Sequence, residues 1–442
     1  MSELTDGWWE RFGALTDADL PDDVATVAHH SLLDWVGCAL AGSREPLSQL
    51  LRDELAGCGD APCSLVGTEL RADPMRAAMI NGAAGHALDF DDTSPVMGGH
   101  PTVPLVPAAL ALAEEQGRSG ADLLTAYVVG LEVQSRIGAS IGTEHYARGW
   151  HTTPTIGVFG AAAAASHLLG LDAEGFATAM GIAASSASGL KANFGTMTKP
   201  LHPGQAAERG LLAARLAARG YTASPSAIDG NQGFAQAAGT GALDGDLLAR
   251  WADSWATRRT LFKFHAACHL THAGIEATSS VLSGGVDGSD VEGITMTVNP
   301  GILDVCGIPN PATGLEAKFS LRGTQALVVH GVDTAAVASF EDGPINRSDV
   351  QEFIPKVIVE TDPALASMQT RVVVRTSRGE HAAAADVSRP ADDLSLQGTR
   401  LRAKFDALAS PVVGGDAASK LADRLLDLRS ERDVRDLVAA LR

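Results

Sequence analysis

The chain has 442 residues, of which 45% are hydrophobic and 20% charged, as in ordinary globular proteins. This length allows two or three domains, each with a buried core. The sequence contains 34 Lys and Arg residues against 53 Asp and Glu residues, a formal net charge of -19. Such a surface repels nucleic acid and anionic membranes, so we expect neither as a partner. A small anionic substrate remains compatible with this charge where cations converge locally.

The N-terminal and cysteine patterns indicate a cytoplasmic protein. The first segment, MSELTDGWWERFG, has no apolar run behind a basic start, so we predict no secretory signal. The five cysteines are odd in number and scattered without a CxxC pair, which favours a reducing compartment. The longest apolar stretch, residues 156–165, is far shorter than the roughly 20 residues that a membrane-spanning helix needs.

Segments rich in Ala and Leu with helical spacing fill the first half of the chain, from about residue 24 to residue 219. Gly and Pro residues separate these segments. The spacing predicts helices over residues 24–41, 121–141, 155–169 and 205–218. We also expect Asp172 to cap the helix that follows it, because Asp is a preferred N-cap residue.

β-Branched alternation appears only after about residue 272. It predicts strands over residues 293–298 and 357–360, and a hairpin over residues 370–387. The tail, residues 397–442, returns to charged amphipathic helix. The predicted fold is therefore mainly α, with a large all-helical domain (1–272 plus 397–442) and a smaller inserted α+β domain (273–396).

Common nucleotide, zinc-protease and serine-hydrolase motifs are absent from the sequence, which leaves four clusters of polar residues as candidate chemistry. The first places Asp89, Asp91 and Asp92 shortly before His100. One carboxylate could orient His100. Alternatively, Asp91 or Asp92 caps the helix that follows Pro101 or fixes the turn.

The second and third clusters each precede a predicted helix. His151 lies beside a helix N-terminus, whose positive field lowers the pKa of an imidazole and favours the neutral base. The alternative is a loop histidine with a satisfied hydrogen bond. Lys199, flanked by hydroxyl residues and Pro, could bind a substrate carboxylate or act as a desolvated base. The alternative for Lys199 is an exposed loop lysine.

The fourth cluster contains His265, His269 and His272, whose spacing predicts one helical face. This spacing is compatible with metal ligation, but a zinc site needs a fourth ligand that the helix does not supply. We favour one working histidine among structural neighbours. An iron–sulfur cluster is not expected, because Cys58 and Cys63 lack a third nearby thiol. We therefore expect no metal and no other cofactor.

Together these clusters resemble the MmgE/PrpD family. The motifs that carry the resemblance are, in chain order, NGAAGHALDFDDT with GHP, GWHTTPTIGVFGAAAAA, NFGTMTKPLHPGQAAERG, KFHAACHLTH and LEAKFSL. Each motif is weak alone, whereas five in series are specific. The resemblance implies a helical domain with an inserted α+β lid domain, a homodimer, and cofactor-free chemistry next to a carboxylate of a small polycarboxylate.

The resemblance also implies the site residues. The family pattern matches Asp89, Thr93, His100, His151, Lys199 and His272. Lys199 and a protonated histidine would hold substrate carboxylates and stabilise enolate-like charge. His151 would move the proton, Asp89 would orient a histidine, and His272 would be a second acid/base or a carboxylate clamp. We expect Thr93, His202 and Lys263 to bind substrate together with Lys199.

One departure from the family pattern affects the expected reaction. Many decarboxylase and dehydratase members carry a Tyr shortly after the Phe-Ser pair, whereas here Phe319-Ser320 is followed by Leu321. The resemblance therefore favours an iminodisuccinate-type epimerase. The alternatives are a lyase similar to 2-methylcitrate dehydratase or cis-aconitate decarboxylase and, more remotely, a metal-dependent hydrolase built on Asp89, Asp91, His100 and the fourth cluster.

Overall fold

A computed structural model describes residues 3–56, 61–239, 241, 243 and 254–442, and the fold is mainly helical. The chain divides into two compact units, Met1–Phe262 with Ala391–Arg442, and Lys263–Pro390. Cys58 lies outside the described residues. None of the helices described is both long and apolar enough to cross a membrane.

The N-terminal part of the first unit is built from helices and one two-stranded antiparallel ladder, β1 (Cys63–Ser64) with β2 (Arg71–Ala72). Its helices are α1 (Glu3–Phe12), α2 (Asp22–Gly42), α3 (Pro46–Leu55), α4 (Pro74–His86), α5 (Thr102–Gln116), α6 (Gly120–Ile141), α7 (Thr143–Ala147), α8 (Thr152–Leu169), α9 (Ala173–Ser186), α10 (Thr198–Ala218) and α11 (Phe234–Ala237).

Helix α8 lies at the centre of this part and packs against α5, α6, α9 and α10. Its run of alanines, residues 161–165, is fully buried, because small side chains let neighbouring helices approach closely on every side. The predicted helix over residues 155–169 is confirmed. The prediction for Asp172 is also confirmed, since its side chain accepts a hydrogen bond from the Gly175 backbone N–H at 2.9 Å.

Helix α10 begins at Thr198, seven residues before the predicted start at Gln205. Pro203 lies inside this helix, where its missing N–H removes the backbone hydrogen bond to the Lys199 carbonyl oxygen. Helices α4 and α10 cross in close contact, and a Cβ atom on Gly82 would lie 2.7 Å from the Gly204 Cα. This crossing brings the end of α4 near the start of α10.

The second unit contains a four-stranded mixed sheet with strand order β4-β3-β5-β6. The strands are β3 (Val291–Val298), β4 (Val357–Thr361), β5 (Gln369–Thr376) and β6 (Gly379–Asp386). Strand β3 pairs parallel to β4 and antiparallel to β5, and β5 and β6 form the predicted hairpin. Its helices are α12 (His269–Ser283), α13 (Leu303–Cys306), α14 (Gly314–Ala317), α15 (Leu321–Val329), α16 (Asp342–Ile345) and α17 (Ser348–Phe353).

The C-terminal part belongs to the first unit and is helical, as predicted. It consists of α18 (Leu394–Val413), α19 (Gly415–Leu426) and α20 (Val434–Val438). Helix α18 packs along α2, so the chain that follows the second unit contributes to the core of the first. Phe405 and Leu408 are buried in this contact, where a Cβ atom on Gly37 of α2 would meet them at 3.2 and 3.6 Å.

Candidate active site

The loop between α4 and α5 carries the first predicted cluster. Asp89 has a φ of 53°, a left-handed conformation that is rare for a residue with a side chain. Asp92 is fully buried and accepts hydrogen bonds from the Thr102 hydroxyl and backbone N–H. It therefore holds Thr102, the first residue of α5. For Asp92 this confirms the alternative that the carboxylate caps the helix after Pro101 or fixes the turn.

Asp89 and Asp91 instead face histidines. The His86 Nδ1 lies 2.9 Å from Asp91 Oδ1. His100 is bracketed by both carboxylates, with its Nδ1 3.1 Å from Asp91 Oδ2 and its Nε2 3.4 Å from Asp89 Oδ1. The two imidazole rings meet edge to face with centroids 4.5 Å apart. The hypothesis that a carboxylate orients His100 is thus supported by the observed distances for both Asp89 and Asp91.

Burial and charge set the protonation of this cluster. Burial opposes ionisation of Asp91, but the charges and hydrogen bonds of His100 and His86 outweigh it and hold its pKa well below the usual range. Burial lowers the pKa of His86 to about 4, with Asp91 opposing and Lys199 and His100 adding to the shift. Asp91 is therefore an anion and His86 a neutral imidazole at neutral pH.

Lys199 reaches the same carboxylates from the first turn of α10. Its Nζ lies 3.0 Å from Asp89 Oδ1, and its side chain is only 15% exposed. The Nζ also lies 5.4 Å from the centroid of the Phe194 ring, within cation–π range. The alternative of an exposed loop lysine is therefore wrong for Lys199.

His151 lies at the N-cap of α8, as its position in the sequence predicted. A backbone pairing fixes it, because its N–H donates to the Gly189 carbonyl at 3.0 Å. Its Nδ1 is 3.1 Å from the Nδ1 of His202, and the Phe194 ring meets its edge with centroids 4.8 Å apart. The His86 ring stacks on it at 6.2 Å. These contacts link His151 and His202 to the carboxylate cluster.

Both of these histidines favour the neutral form. Burial lowers the pKa of His151 well below its ordinary value, and the charges of Lys199, His86, His100 and His202 lower it further. Burial and then Lys199 also lower the pKa of His202. The direction agrees with the prediction for His151, but the first cause is burial and not the helix N-terminus.

Thr93 pairs with Leu261 through the backbone, each N–H donating to the other's carbonyl at 2.8 Å. This pairing ties the end of the Asp89–Asp92 loop to the segment that precedes the second unit. The backbone contact positions the loop, and the substrate-binding role of Thr93 stays a prediction.

His272 and Lys263 belong to the second unit, where both are buried. Helix α12 begins at His269, so the prediction that His265 shares one helical face with His269 and His272 is wrong. The three rings nevertheless cluster, with His272 centroids 4.9 Å from His265 and 4.8 Å from His269. The chain turns before α12 and folds His265 back, a geometry that spacing along a helix cannot anticipate.

His272 is held in one tautomer, since its Nε2 donates to the Ala267 carbonyl at 3.2 Å. Burial lowers its pKa well below the ordinary value, and the neighbouring charges of His269, His265 and Lys263 add to this effect. Its Nδ1 is consequently the basic atom of the ring at neutral pH.

Two domain models of one family match nearly the whole chain. The MmgE/PrpD N-terminal domain matches residues 13–244, and the MmgE/PrpD C-terminal domain matches residues 265–428. The chain belongs to the MmgE/PrpD family. The resemblance seen in the five motifs is therefore confirmed.

Three relatives are similar to this chain over most of its length. A cis-aconitate decarboxylase-like protein of Aspergillus oryzae is 29% identical over 97% of this chain and 95% of its own length. The cis-aconitate decarboxylase of Aspergillus terreus is 29% identical over 78% of this chain and 75% of its length. The human cis-aconitate decarboxylase is 31% identical over 82% of this chain and 78% of its length. These relatives are lyases, the reaction class of one alternative given above.

One group of side chains in this MmgE/PrpD protein has the donor set of a metal site, as judged over the described residues. Ligand atoms of His86, Asp89, Asp91 and His100 all lie within 4.8 Å of one another. The group includes the three first-cluster residues of the hydrolase alternative and none of the fourth-cluster histidines. Lys199 already places a cation at Asp89, 3.0 Å from its Oδ1.

Sequence reasoning missed two residues of this site, His86 and Phe194. His86 forms the most buried pair of the site with Asp91, and Phe194 contacts both His151 and Lys199. His86 and Asp91 lie five residues apart across a helix end, a separation at which an α-helix alone would not bring them together. The signal available was Phe194 itself, an aromatic residue in a Gly/Thr-rich loop directly before the lysine.

Proposed function

We propose that this protein is a cofactor-independent enzyme that acts at the carbon next to a carboxylate of a small di- or tricarboxylate. The observation that carries the proposal is a neutral, buried His151 beside a largely buried Lys199, both in contact with Phe194. A neutral imidazole accepts a proton from carbon, and an ammonium stabilises the negative charge that then develops on the carboxylate.

The other predicted residues have roles consistent with this chemistry. Asp89 and Asp91 bracket His100 and so fix the orientation of its ring beside Lys199. His272 is the second acid/base or a carboxylate clamp. Thr93, His202 and Lys263 contribute to substrate binding. No step of this chemistry requires a metal or an organic cofactor.

The first candidate reaction is a lyase reaction on an acid similar to cis-aconitate. It is supported by the relatives that match most of this chain, two cis-aconitate decarboxylases and one cis-aconitate decarboxylase-like protein. In such a step the bond between carbon and a carboxyl group breaks and CO2 leaves. The electron pair remains on carbon, delocalised toward a neighbouring carboxylate, and a histidine then supplies a proton. Dehydration begins differently: a histidine removes a proton from the carbon next to a carboxylate, and the hydroxyl on the neighbouring carbon then takes up a proton and leaves as water.

The second candidate is epimerisation of a substrate similar to iminodisuccinate, and a single observation favours it. The Phe-Ser pair is followed by Leu321, and the Tyr that many lyase members carry shortly after this pair is missing. Leu321 is 2% exposed and begins α15, directly after the N-cap Ser320. Epimerisation removes a proton from one face and returns a proton to the other. It therefore needs two acid/base groups but no acid for a leaving group.

One experiment separates the candidates. EDTA-treated protein is incubated in deuterated buffer with aspartate-, citrate- and aconitate-like acids and freshly generated iminodisuccinate, and proton NMR follows the products. Gain or loss of a vinyl signal identifies a lyase, and deuterium entering an α-position without a vinyl change identifies an epimerase. Silence across this panel, with turnover only after metal is added back, would contradict the proposal in favour of the hydrolase alternative.

The proposal also covers the domain division, the oligomeric state and the location of the protein. The domain division 1–272 plus 397–442 against 273–396, with the inserted domain as a lid, is supported by the family and by the two compact units. A homodimer and a cytoplasmic location rest on the resemblance and on cysteine usage. Light scattering behind size-exclusion chromatography tests the dimer, and a monomer mass would contradict it.

A further inference from the structure

A buried lysine outside the predicted site contacts the loop that carries the catalytic carboxylates. Lys404 lies on α18 and is 8% exposed. Its Nζ donates to Asp34 Oδ1 on α2 and to the Phe90 carbonyl oxygen, each at 2.6 Å. The same Nζ lies 3.8 Å from the centroid of the Phe90 ring.

Phe90 is the residue between Asp89 and Asp91, so its carbonyl belongs to the peptide that joins the two carboxylates. Asp89 on one side of it has the left-handed φ of 53°. Such a conformation persists in a residue with a side chain only where surrounding contacts hold it. A charge-assisted hydrogen bond to the Phe90 carbonyl is a strong contact of this kind.

We infer that Lys404 is a positioning residue for the active site, which holds the Phe90 carbonyl so that Asp89 and Asp91 bracket His100. Lys404 acts through the backbone of the loop and does not touch substrate. The inference rests on the proposed function for its kinetic consequence, whereas its structural consequence for His100 can be measured without a substrate. Helix α18, which follows the second unit in the chain, thereby becomes part of the catalytic architecture.

The competing explanation is that Lys404 only stabilises the fold through its ion pair with Asp34. Removing one member of a buried pair is strongly destabilising because it leaves the other charge unpaired. Lys404→Met alone therefore does not separate the two explanations. The double variant Lys404→Met/Asp34→Asn does, because it removes both charges together with the donor of the Phe90 carbonyl.

Two further variants complete the design. Asp34→Asn alone removes the ion pair but keeps an oxygen acceptor for Lys404 and the contact to Phe90, so we expect catalysis close to wild type. Arg136→Met breaks a different buried pair in the same unit, in which Arg136 donates to Glu132 at 2.6 Å. It reports what the loss of a buried ion pair does when the loop from Asp89 to Asp92 is left intact.

The kinetic readout uses an acid from the NMR panel that the wild type converts. We expect the double variant to unfold near the wild-type temperature, with kcat lowered about tenfold or more and KM little changed, since only the transition state needs the aligned histidine. Recovery of kcat together with stability in the double variant would overturn the inference. An equal loss of kcat in Asp34→Asn would also overturn it.

The second readout needs no substrate. Protein labelled with carbon-13 at the histidine Cε1 gives one signal per histidine, and the His100 signal is assigned by its disappearance in His100→Gln. We expect that signal to move in the double variant and to stay in place in Arg136→Met. An unmoved His100 signal in the folded double variant would overturn the inference. Failure of the wild type to convert any acid would count against the proposed function, while this signal still decides the role of Lys404.

Discussion

Asp91→Asn is the substitution that most directly tests the electrostatic design of the site. Asp91 is fully buried between His86 Nδ1 at 2.9 Å and His100 Nδ1 at 3.1 Å. The pair of rings holds its pKa well below the usual range, so it is ionised at neutral pH. An asparagine of the same size offers one acceptor and one donor where the two rings need two acceptors. One of the two histidines must then turn or change tautomer.

The expected cost follows from these contacts. A hydrogen bond to a charged group contributes about 1.5–3 kcal/mol, so misplacing one imidazole should lower kcat by roughly 10- to 100-fold. KM should change little, because Asp91 is buried behind the rings and has no exposed surface for a substrate to contact. The assay is the initial rate for an acid that the wild type converts, measured over a range of concentrations.

Asp92→Asn is the matched control, one residue away and equally buried. Burial and the nearby Asp34 raise the pKa of Asp92 well above its usual range, so an amide resembles its favoured neutral form. The Thr102 hydroxyl, which now donates to Asp92, can turn to accept from the amide. We expect Asp92→Asn to keep most of the activity. Equal losses in the two variants, or full activity in Asp91→Asn, would refute the reasoning.

Three further predictions follow from the same contacts. Lys199→Met should lower kcat/KM about 100-fold or more while the protein stays folded. Lys191→Met, in the loop that precedes α10, should leave kcat/KM near the wild-type value; steady-state kinetics and circular dichroism check both variants. Phe194→Ala should let water reach His151 and raise its pKa, so the acid limb of the pH–rate profile should move to higher pH. Phe194→Leu should limit that shift. An unmoved acid limb in Phe194→Ala would contradict the shielding role of Phe194. His30, whose pKa burial lowers to about 4, binds protons more tightly when unfolded, so stability is lost as pH falls from 6.5 toward 4. His30→Gln should remove about 2 kcal/mol of the decrease in unfolding free energy between pH 7 and pH 5, measured by urea titration, and an unchanged decrease would argue against the buried neutral ring.

Periodicity predicted most of the fold because burial in this chain follows secondary structure closely. Strand β5 alternates, so only one of its faces can enter the core, whereas α8 is apolar on every side and is buried on every side. Predictions failed where a local signal was outweighed by tertiary contact. Helix α10 was predicted to begin at Gln205 but begins at Thr198, and Gly204 in this extra stretch packs closely on Gly82 of α4. His265 had helical spacing, but its Nδ1 lies 2.8 Å from the Thr334 hydroxyl, outside the helix.

The candidate site was predictable as a set of segments and not as a set of contacts. Asp89, His100, His151 and Lys199 were singled out because their residue types carry chemistry. Their partners His86 and Phe194 were not, because the role of each depends on which helix end or loop folds against it. No spacing rule connects Lys404 with Phe90, since 314 positions separate them in the sequence.

The three neighbouring carboxylates of the first cluster, Asp89, Asp91 and Asp92, show how one residue type takes different roles. Asp92 faces a hydroxyl, a backbone N–H and another carboxylate, so burial favours its neutral form and it serves the fold. Asp91 is equally buried but faces two imidazoles, which favour its anion. Asp89 is partly exposed and faces Lys199 and His100. Its carboxylate balances the positive charge of Lys199, which a bound polycarboxylate substrate would also neutralise. The left-handed turn at Asp89 and the Lys404 contact at Phe90 separate the directions of these side chains. The chemistry of the site therefore depends on the backbone of one short loop as much as on the residues it carries.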